Sequence, residues 1–213
     1  MKNLLILISG RGSNMEAILN ASIPGARICA VISNRPEAQG LAIARAAGIE
    51  THVLDHRAFS ERAAFDAELS ALIDSYSPDL VVLAGFMRVL GDEFVRHFEG
   101  RMINIHPSLL PSFTGLHTHR RALEAGVRLH GATVHFVTPA LDGGPVVIQG
   151  ALDVTDADDE QTLAARVIEI EHRIYPQALR WFVEDRLSLE GGRVRLRGSA
   201  ASSRSFCLPA LDA

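Results

Sequence analysis

The stretch Leu4-Leu5-Ile6-Leu7-Ile8-Ser9-Gly10-Arg11-Gly12-Ser13-Asn14 decides the fold of this chain. Five consecutive apolar residues are followed at once by glycines and small polar residues, and then by a helix-period segment from about residue 14 to residue 21. A short apolar run bounded in this way is typical of a buried strand in a parallel sheet. The stretch therefore predicts a strand, a tight loop and a helix, which together form the repeating unit of an α/β fold.

The same alternation continues through the first half of the chain. Apolar runs at 28–33, 51–54, 80–84 and 102–105 are separated by helix-period segments at about 37–47, 61–76 and 92–98. This pattern predicts a doubly wound, mostly parallel sheet with helices on both faces, as in Rossmann-like folds.

After residue 106 the pattern changes. A short helix is expected at about 120–125, two longer strands at 132–137 and 146–152, and a long helix at about 159–185, which Pro176 should break or kink near residue 174 or 175. A C-terminal hairpin with the turn Gly191-Gly192 follows. We expect a single domain over 1–197 and a loose tail, rich in Ser and Ala, over 198–213.

Composition excludes several classes of protein. The chain has 213 residues, of which 47% are hydrophobic and 22% charged, as expected of a soluble globular protein. Its net charge of −4 provides no general basic field for nucleic acid. Lys2 is the only lysine, so neither a P-loop nor a Schiff-base lysine is available. No apolar stretch is long enough to suggest a membrane partner, and the two cysteines, Cys29 and Cys207, form no CxxC motif, which favours a cytoplasmic location.

The loop Gly10-Arg11-Gly12-Ser13-Asn14 is a candidate anion site. It lies between a strand and a helix, where backbone N–H groups and the helix dipole favour a phosphate. A dinucleotide fits less well, because Met15 stands at the third glycine position of GxGxxG and no acidic residue ends the second strand. The alternative is a plain tight turn with a Ser or Asn helix cap.

The end of the strand at 102–105 carries a second candidate site. Asn104 and His106 are two residues apart, so their side chains should share one face of the strand. An amide donor beside an imidazole suits a tetrahedral oxyanion and proton transfer near neutral pH. The alternative is a histidine that only forms hydrogen bonds within a Pro-rich loop, and the Asn partner favours the functional interpretation.

Asp142-Gly143-Gly144 is first of all a turn signal. A carboxylate on this loop could also orient a histidine and keep it protonated. Elsewhere the sequence holds a cluster of four histidines, namely His117, His119, His130 and His135. His117 and His119 form an HxH pair that could bind a metal, but no third ligand has recognisable spacing, so no metal site is expected.

The alternating Arg193, Arg195 and Arg197 resemble a nucleic-acid stripe. We favour instead the solvated face of a hairpin whose Val194 and Leu196 point inward.

Five motifs together resemble the folate-dependent formyltransferases over roughly residues 1–190. Asn-x-His with a later Asp-Gly-Gly is shared by that whole family, whereas the Ser-Gly-x-Gly-Ser-Asn loop and Gly115-Leu116-His117-Thr118-His119 narrow the resemblance to its phosphoribosylglycinamide formyltransferase branch. The Asn-x-His motif lies in the matching stretch Asn104-Ile105-His106-Pro107-Ser108-Leu109-Leu110-Pro111. The stretch Ala84-Gly85-Phe86-Met87-Arg88 matches as well. The stretch Ser112-Phe113-Thr114 departs from the family, where many members carry a basic residue and a proline.

The resemblance implies transfer of a formyl group from 10-formyltetrahydrofolate, as co-substrate, to the amine of glycinamide ribonucleotide in purine synthesis, without a metal. It implies small-molecule partners, a monomer or homodimer, a nucleotide-binding half at 1–100 and a catalytic and folate-binding half at 101–197. The catalytic positions it implies are Asn104, His106 and Asp142. The nucleotide positions are Gly10, Arg11, Gly12, Ser13, Asn14 and Glu171. The folate positions are Arg62, Met87, Arg88, Val89, Leu90, Asn104, Thr138, Pro139, Ala140, Leu141 and Asp142.

Three rival functions are considered. A methionyl-tRNA formyltransferase would need a C-terminal RNA-binding domain, for which we expect too few residues after the hairpin. A formyltetrahydrofolate hydrolase uses the same three residues with water as acceptor, but resembles this core with an extra domain in front. A nucleotide-binding module without catalysis would not need the set Asn104, His106 and Asp142.

Overall fold

The computed structural model describes residues 1–198 and residue 208, and it contains a seven-stranded sheet with helices on both faces. The strands are β1 (Lys2–Ile8), β2 (Ala26–Ser33), β3 (Thr51–Val53), β4 (Leu80–Leu83), β5 (Met102–His106), β6 (Leu129–Phe136) and β7 (Val146–Asp153). The helices are α1 (Ser13–Asn20), α2 (Gly40–Ala46), α3 (Arg62–Ser75), α4 (Asp92–His97), α5 (Thr118–Glu124) and α6 (Glu160–Val183), with a 3₁₀ turn at His56–Ala58. The predicted strand and helix alternation is confirmed.

The strand order is β3-β2-β1-β4-β5-β6-β7. The five strands from β3 to β5 are parallel, and β6 runs antiparallel to both β5 and β7. Because β1 lies centrally and the chain winds away from it in both directions, the predicted doubly wound, mostly parallel sheet is confirmed. The carboxyl ends of β1, β4 and β5 meet at one edge, which is where open α/β sheets bind ligands.

Alternate side chains of the central strands divide between two cores. Leu4, Ile6 and Ile8 of β1 pack on one face with helices α1, α2, α5 and α6. Leu5 and Leu7 pack on the other face with α3 and α4. Strands buried on both faces need continuous apolar sequence, which is why the runs in the sequence show no alternation.

Helix α6 corrects one prediction. The helix continues unbroken from Glu160 to Val183, with a buried Pro176 inside it, so a break near Ile174 or Tyr175 is wrong, while a kink there stays a prediction. A proline inside a helix costs about 3 kcal/mol. The buried side chains around it, including Tyr175 and Leu179, stabilise the helix on the sheet by about 1.5–3 kcal/mol each, and this packing outweighs the cost.

The C-terminal hairpin is confirmed as β8 (Leu187–Glu190) and β9 (Arg193–Leu196), joined by a turn in which both glycines have positive φ. Its arginines are exposed while Val194 packs toward the main core. The predicted loose tail, with Cys207, lies outside the described residues except for positions 198 and 208. Within the described part, no helix is both long and apolar enough to cross a membrane.

Candidate active site

Strand β5 places Asn104 and His106 at the carboxyl edge of the sheet. The strand extends one residue beyond its predicted end and includes His106. Both residues lie on the face that carries Met102, while Ile103 and Ile105 point toward α6. In the antiparallel pairing with β6, Asn104 stands opposite His135 and His106 opposite Thr133. The predicted common face for Asn104 and His106 is therefore what the strand produces.

Asp142 reaches this pair from the loop between β6 and β7. One of its oxygens, Oδ2, lies 3.5 Å from His106 Nδ1 and accepts the backbone N–H of Gly115 at 2.8 Å. The other, Oδ1, lies 3.9 Å from His135 Nε2. The side chains of His106 and Asp142 are only 7% and 9% exposed. Asp142 thus forms a turn, with φ of 50°, and also aims a carboxylate at the histidine.

His106 lies between two hydrogen-bond acceptors. Its Nδ1 faces Asp142, and its Nε2 lies 2.9 Å from the carbonyl oxygen of Phe113. A neutral imidazole has a single N–H and satisfies only one of these acceptors, whereas an imidazolium donates to both. Each ring nitrogen of His106 therefore faces an acceptor.

His135, which the sequence groups with the other histidines of a candidate metal cluster, lies instead beside Asn104 and Asp142. Its Nδ1 donates to the carbonyl of Phe136 at 2.9 Å, which leaves Nε2 to accept from the Asn104 amide at 3.4 Å. Burial lowers the pKa of His135, consistent with a neutral ring. In the sequence it is one of several histidines, and only the β5–β6 register shows that it orients Asn104.

In the structure, His119 of the HxH pair contacts another histidine of the cluster, His130. His119 Nδ1 lies 3.2 Å from Nε2 of His130, and burial lowers the pKa of His130 to about 4. These two rings therefore form a neutral hydrogen-bonded pair. Within residues 1–198 and 208, no group of three or more His, Cys, Asp or Glu side chains is arranged to hold a metal ion.

The loop between β1 and α1 leaves backbone donors free. Gly12 is the residue before the helix, with φ of 82°, and no side chain caps the helix, so the alternative of a Ser or Asn cap is wrong. The N–H groups of Ser13, Asn14 and Met15 donate to no other backbone or side-chain group among the described residues. These groups lie at the positive end of the α1 dipole, which is suited to an anion.

Glu171 of α6 lies beside this loop. Its carboxylate accepts a hydrogen bond from the Asn14 side chain at 2.7 Å, and Asn14 Oδ1 is buried without a partner. Burial raises the pKa of Glu171, and the Asn14 bond partly opposes that rise. The structure thus brings together two predicted nucleotide positions that are 157 residues apart in the chain.

The predicted folate positions form two surface segments. Met87 and Val89 on the loop after β4, and Leu141 on the Asp142 loop, are between 62% and 70% exposed. On the first segment, the Arg88 guanidinium stacks 4.7 Å from the Phe65 ring centre, and the Gly91 N–H donates to the buried Asp66. On the second, Thr138 is half-buried, while Pro139 and Ala140 are exposed.

Exposed Arg62 lies instead on the rim of a cavity of about 510 Å³ between α3 and α4. That cavity is formed without Asn104, His106 or Asp142, so it is separate from the cluster at the end of β5.

The sequence model of the formyl transferase family matches residues 2–179 of this chain. The chain belongs to the formyl transferase family. It is 51% identical over 210 residues to the phosphoribosylglycinamide formyltransferase of Escherichia coli, covering 93% of this chain and 99% of that protein. The enzyme of the same name from Haemophilus influenzae is 41% identical, and the match covers 97% of this chain and 99% of that enzyme. This chain is also 46% identical over 177 residues to the chicken trifunctional purine biosynthetic protein adenosine-3, but the match covers only 18% of that protein.

Solved structures of this family have the same fold. The phosphoribosylglycinamide formyltransferase of Coxiella burnetii superposes with a TM-score of 0.88 at 50% identity, covering 92% of this chain and 94% of the other. The glycinamide ribonucleotide transformylase 1 of Symbiobacterium toebii gives the same TM-score at 46% identity, with the same coverage.

Proposed function

We propose that this chain transfers the formyl group of 10-formyltetrahydrofolate to the amine of glycinamide ribonucleotide in de novo purine synthesis. The observation that carries the proposal is the buried pair of His106 and Asp142 beside Asn104, at the carboxyl end of β5. It is supported by full-length relatives named phosphoribosylglycinamide formyltransferase. We assign the protein to the cytoplasm, with small molecules as its partners.

The chemistry needs an oxyanion site and a proton carrier. The amine nitrogen attacks the formyl carbon, the C=O electron pair moves to oxygen, and the C–N bond to the folate then breaks. The Asn104 amide and the His106 Nε2–H donate to the developing oxyanion. Because the Phe113 carbonyl accepts that same Nε2–H within the protein, the substrate oxygen has to share or replace this contact.

Proton transfer completes the reaction. The amine loses one proton as the new C–N bond forms, and N10 of the folate gains one as it leaves. His106, which lies beside Asp142, donates a proton to the leaving nitrogen and takes one from the amine. No step requires a metal, and dialysis against a strong chelator should leave activity unchanged.

We place the two substrates on different segments around this cluster. The nucleotide phosphate binds the free N–H groups of the Gly10–Asn14 loop, and Glu171 with Asn14 binds the rest of the nucleotide. The folate ring system covers the exposed apolar side chains Met87, Val89 and Leu141. The first half of the chain, 1–100, then supplies most of the nucleotide site, and 101–197 the catalytic groups.

An assay with 10-formyltetrahydrofolate and glycinamide ribonucleotide tests the proposal, with the change in folate absorbance as readout. We expect absorbance change only when both substrates are present, and its loss in His106→Ala. Folate consumption without the nucleotide would instead identify a hydrolase. Nucleotide binding without any turnover would identify a non-catalytic binding module.

A further inference from the structure

The hydroxyl group of Tyr175 joins the ends of two strands at the candidate active site. Tyr175 lies on α6 and has no exposed surface. Its O–H is shared between the carbonyl oxygens of Leu83, at 2.9 Å, and Ile103, at 3.2 Å. Leu83 is the last residue of β4, and Ile103 directly precedes Asn104 in β5.

This bridge lies where β4 and β5 stop pairing. Leu83 and Asn104 form the last registered pair between the two strands. Beyond it, the chain after β4 forms the loop with Met87 and Val89, while β5 continues to His106. The Tyr175 hydroxyl approaches from the α6 face, so it holds the backbone of β5 directly behind the Asn104 side chain.

Packing alone does not explain a tyrosine here. A phenylalanine would fill the same apolar space, whereas a buried hydroxyl has to be hydrogen-bonded to avoid a desolvation penalty. Burial raises the pKa of Tyr175 well above its ordinary value, so the phenol stays a donor. Its single proton serves two backbone carbonyls that belong to different segments of the site.

The same helix carries a predicted nucleotide contact. Glu171 lies four residues before Tyr175, hence on the same side of α6, and binds the Asn14 side chain. Helix α6 therefore connects the nucleotide loop, the end of β4 and the strand that carries Asn104.

We propose that Tyr175 is a positioning residue for formyl transfer: its hydroxyl fixes the ends of β4 and β5, so that the Asn104 amide points at the oxyanion. This inference rests on the proposed function. It predicts that loss of the hydroxyl affects the chemical step more than the binding of either substrate, because Tyr175 contacts backbone behind the site.

Tyr175→Phe removes only the hydroxyl. We expect kcat to fall about 10-fold, which is less than the ~10²–10³-fold loss when an oxyanion donor is deleted outright. The Kd values for nucleotide and folate should change less than about twofold. Tyr76→Phe is the matched control, since Tyr76 bonds His52 beside the edge strand β3, and its kcat should remain that of the wild type.

A double-mutant cycle separates positioning from general stability. In an Asn104→Ala background, Tyr175→Phe should lower kcat by less than about twofold, because the group it positions is already gone. Full additivity of the two losses, or an unchanged kcat in the single variant with only a lower melting temperature, would overturn the proposal. An inactive wild-type chain would refute the proposed function instead.

If Tyr175→Phe does not fold, the hydroxyl can be altered without removing it. In the Tyr76→Phe chain Tyr175 is the only tyrosine, so 3-fluorotyrosine labels it alone. We expect the more acidic phenol to change kcat at least twofold with both Kd values kept. An unchanged kcat would contradict the positioning role.

Discussion

Asp142 combines two roles that its sequence pattern could not separate. The glycines after it allow the turn, since a side chain at Gly144 would overlap the carbonyl oxygen of Phe136. The carboxylate itself binds Gly115 and faces His106 and His135. An aspartate that served only its own turn would not have to reach three groups on three other segments.

Replacing Asp142 with asparagine keeps the shape and removes the charge. We expect kcat to fall by roughly 10²–10⁴-fold, the usual range for loss of acid–base assistance, because the carboxylate charge beside His106 is lost. Both substrates should still bind, and the melting temperature should stay within a few degrees. Asp156→Asn, at a side chain that is 96% exposed, is the control.

Two results would contradict this role of Asp142. A near-normal kcat in Asp142→Asn would remove the charge from the mechanism. A collapsed melting temperature would favour a purely structural turn.

At the scale of single residues, the sequence predicts which side chains share one face of a strand. It does not predict contacts that depend on how two strands pair. Asn104 and His106 share a face because side chains alternate along a strand. His135 joins them only through the antiparallel register with β6. Nothing in a single sequence states which residue of one strand stands opposite another, so this contact required the structure.

Among the elements, the β1–α1 loop depends on a close backbone approach. Gly12 has a positive φ, and a Cβ there would lie 2.8 Å from the Cα of Gly40 at the start of α2. Any side chain at this position has to displace the loop and with it the first N–H groups of α1. Gly10 differs, because a Cβ at that position meets no atom within 4 Å.

These two glycines make a matched pair for testing the phosphate loop. Gly12→Ala should weaken nucleotide binding at least about 10-fold, as the displaced N–H groups lose their charge-assisted hydrogen bonds, each worth about 1.5–3 kcal/mol. Gly10→Ala should change it little. Calorimetric titration with glycinamide ribonucleotide measures both.

Folate binding should be kept in both glycine variants, because the predicted folate positions lie on other segments. Equal losses of nucleotide and folate affinity in Gly12→Ala would count against a dedicated phosphate site.

Helix α6 shows where local rules fail. From the sequence alone, a proline predicts an interruption of the helix. In the structure, the apolar residues on both sides of Pro176 are buried against the sheet. The element boundaries elsewhere were predictable to within a few residues, because glycines, prolines and apolar runs mark them. The α6 exception arises from tertiary packing, which a local pattern does not contain.

At the scale of the molecule, the alternation of strands and helices was enough to predict a doubly wound sheet. The alternation does not predict the reversal of β6, which runs antiparallel to both β5 and β7. That reversal matters for function, because it brings the loop with Asp142 back over the end of β5. The contact between Gly115 and Asp142 spans 27 residues and follows from this topology.

The molecule also holds several buried or half-buried histidines as neutral rings. Burial lowers the pKa of His119, His130, His135 and His172. In the unfolded chain a histidine takes up a proton near pH 6.5. The folded chain binds that proton less readily, so each of these histidines adds stability above pH 6.5 that is lost as the pH falls.

Two buried carboxyl groups act in the opposite sense. Burial raises the pKa of Asp66 and Glu171, so the folded chain holds their protons more tightly than the unfolded chain does. Their unfavourable contribution is present at neutral pH and is relieved as the pH falls through the folded pKa. They therefore offset part of the histidine effect, and a test has to isolate a single histidine.

His130 is the group to isolate, since its folded pKa of about 4 sets a window from pH 6.5 down to 4. Because His130 resists protonation in the folded chain, the free energy of unfolding should fall by at most about 2 kcal/mol from this residue between pH 7 and pH 5. The melting temperature of His130→Gln should accordingly fall several degrees less over this range than that of the wild type, at about 2–4 °C for each kcal/mol. His117→Gln, at an exposed ring, is the control and should follow the wild type. If His130→Gln loses as many degrees as the wild type, the acid sensitivity of the fold does not come from the buried pair of His119 and His130.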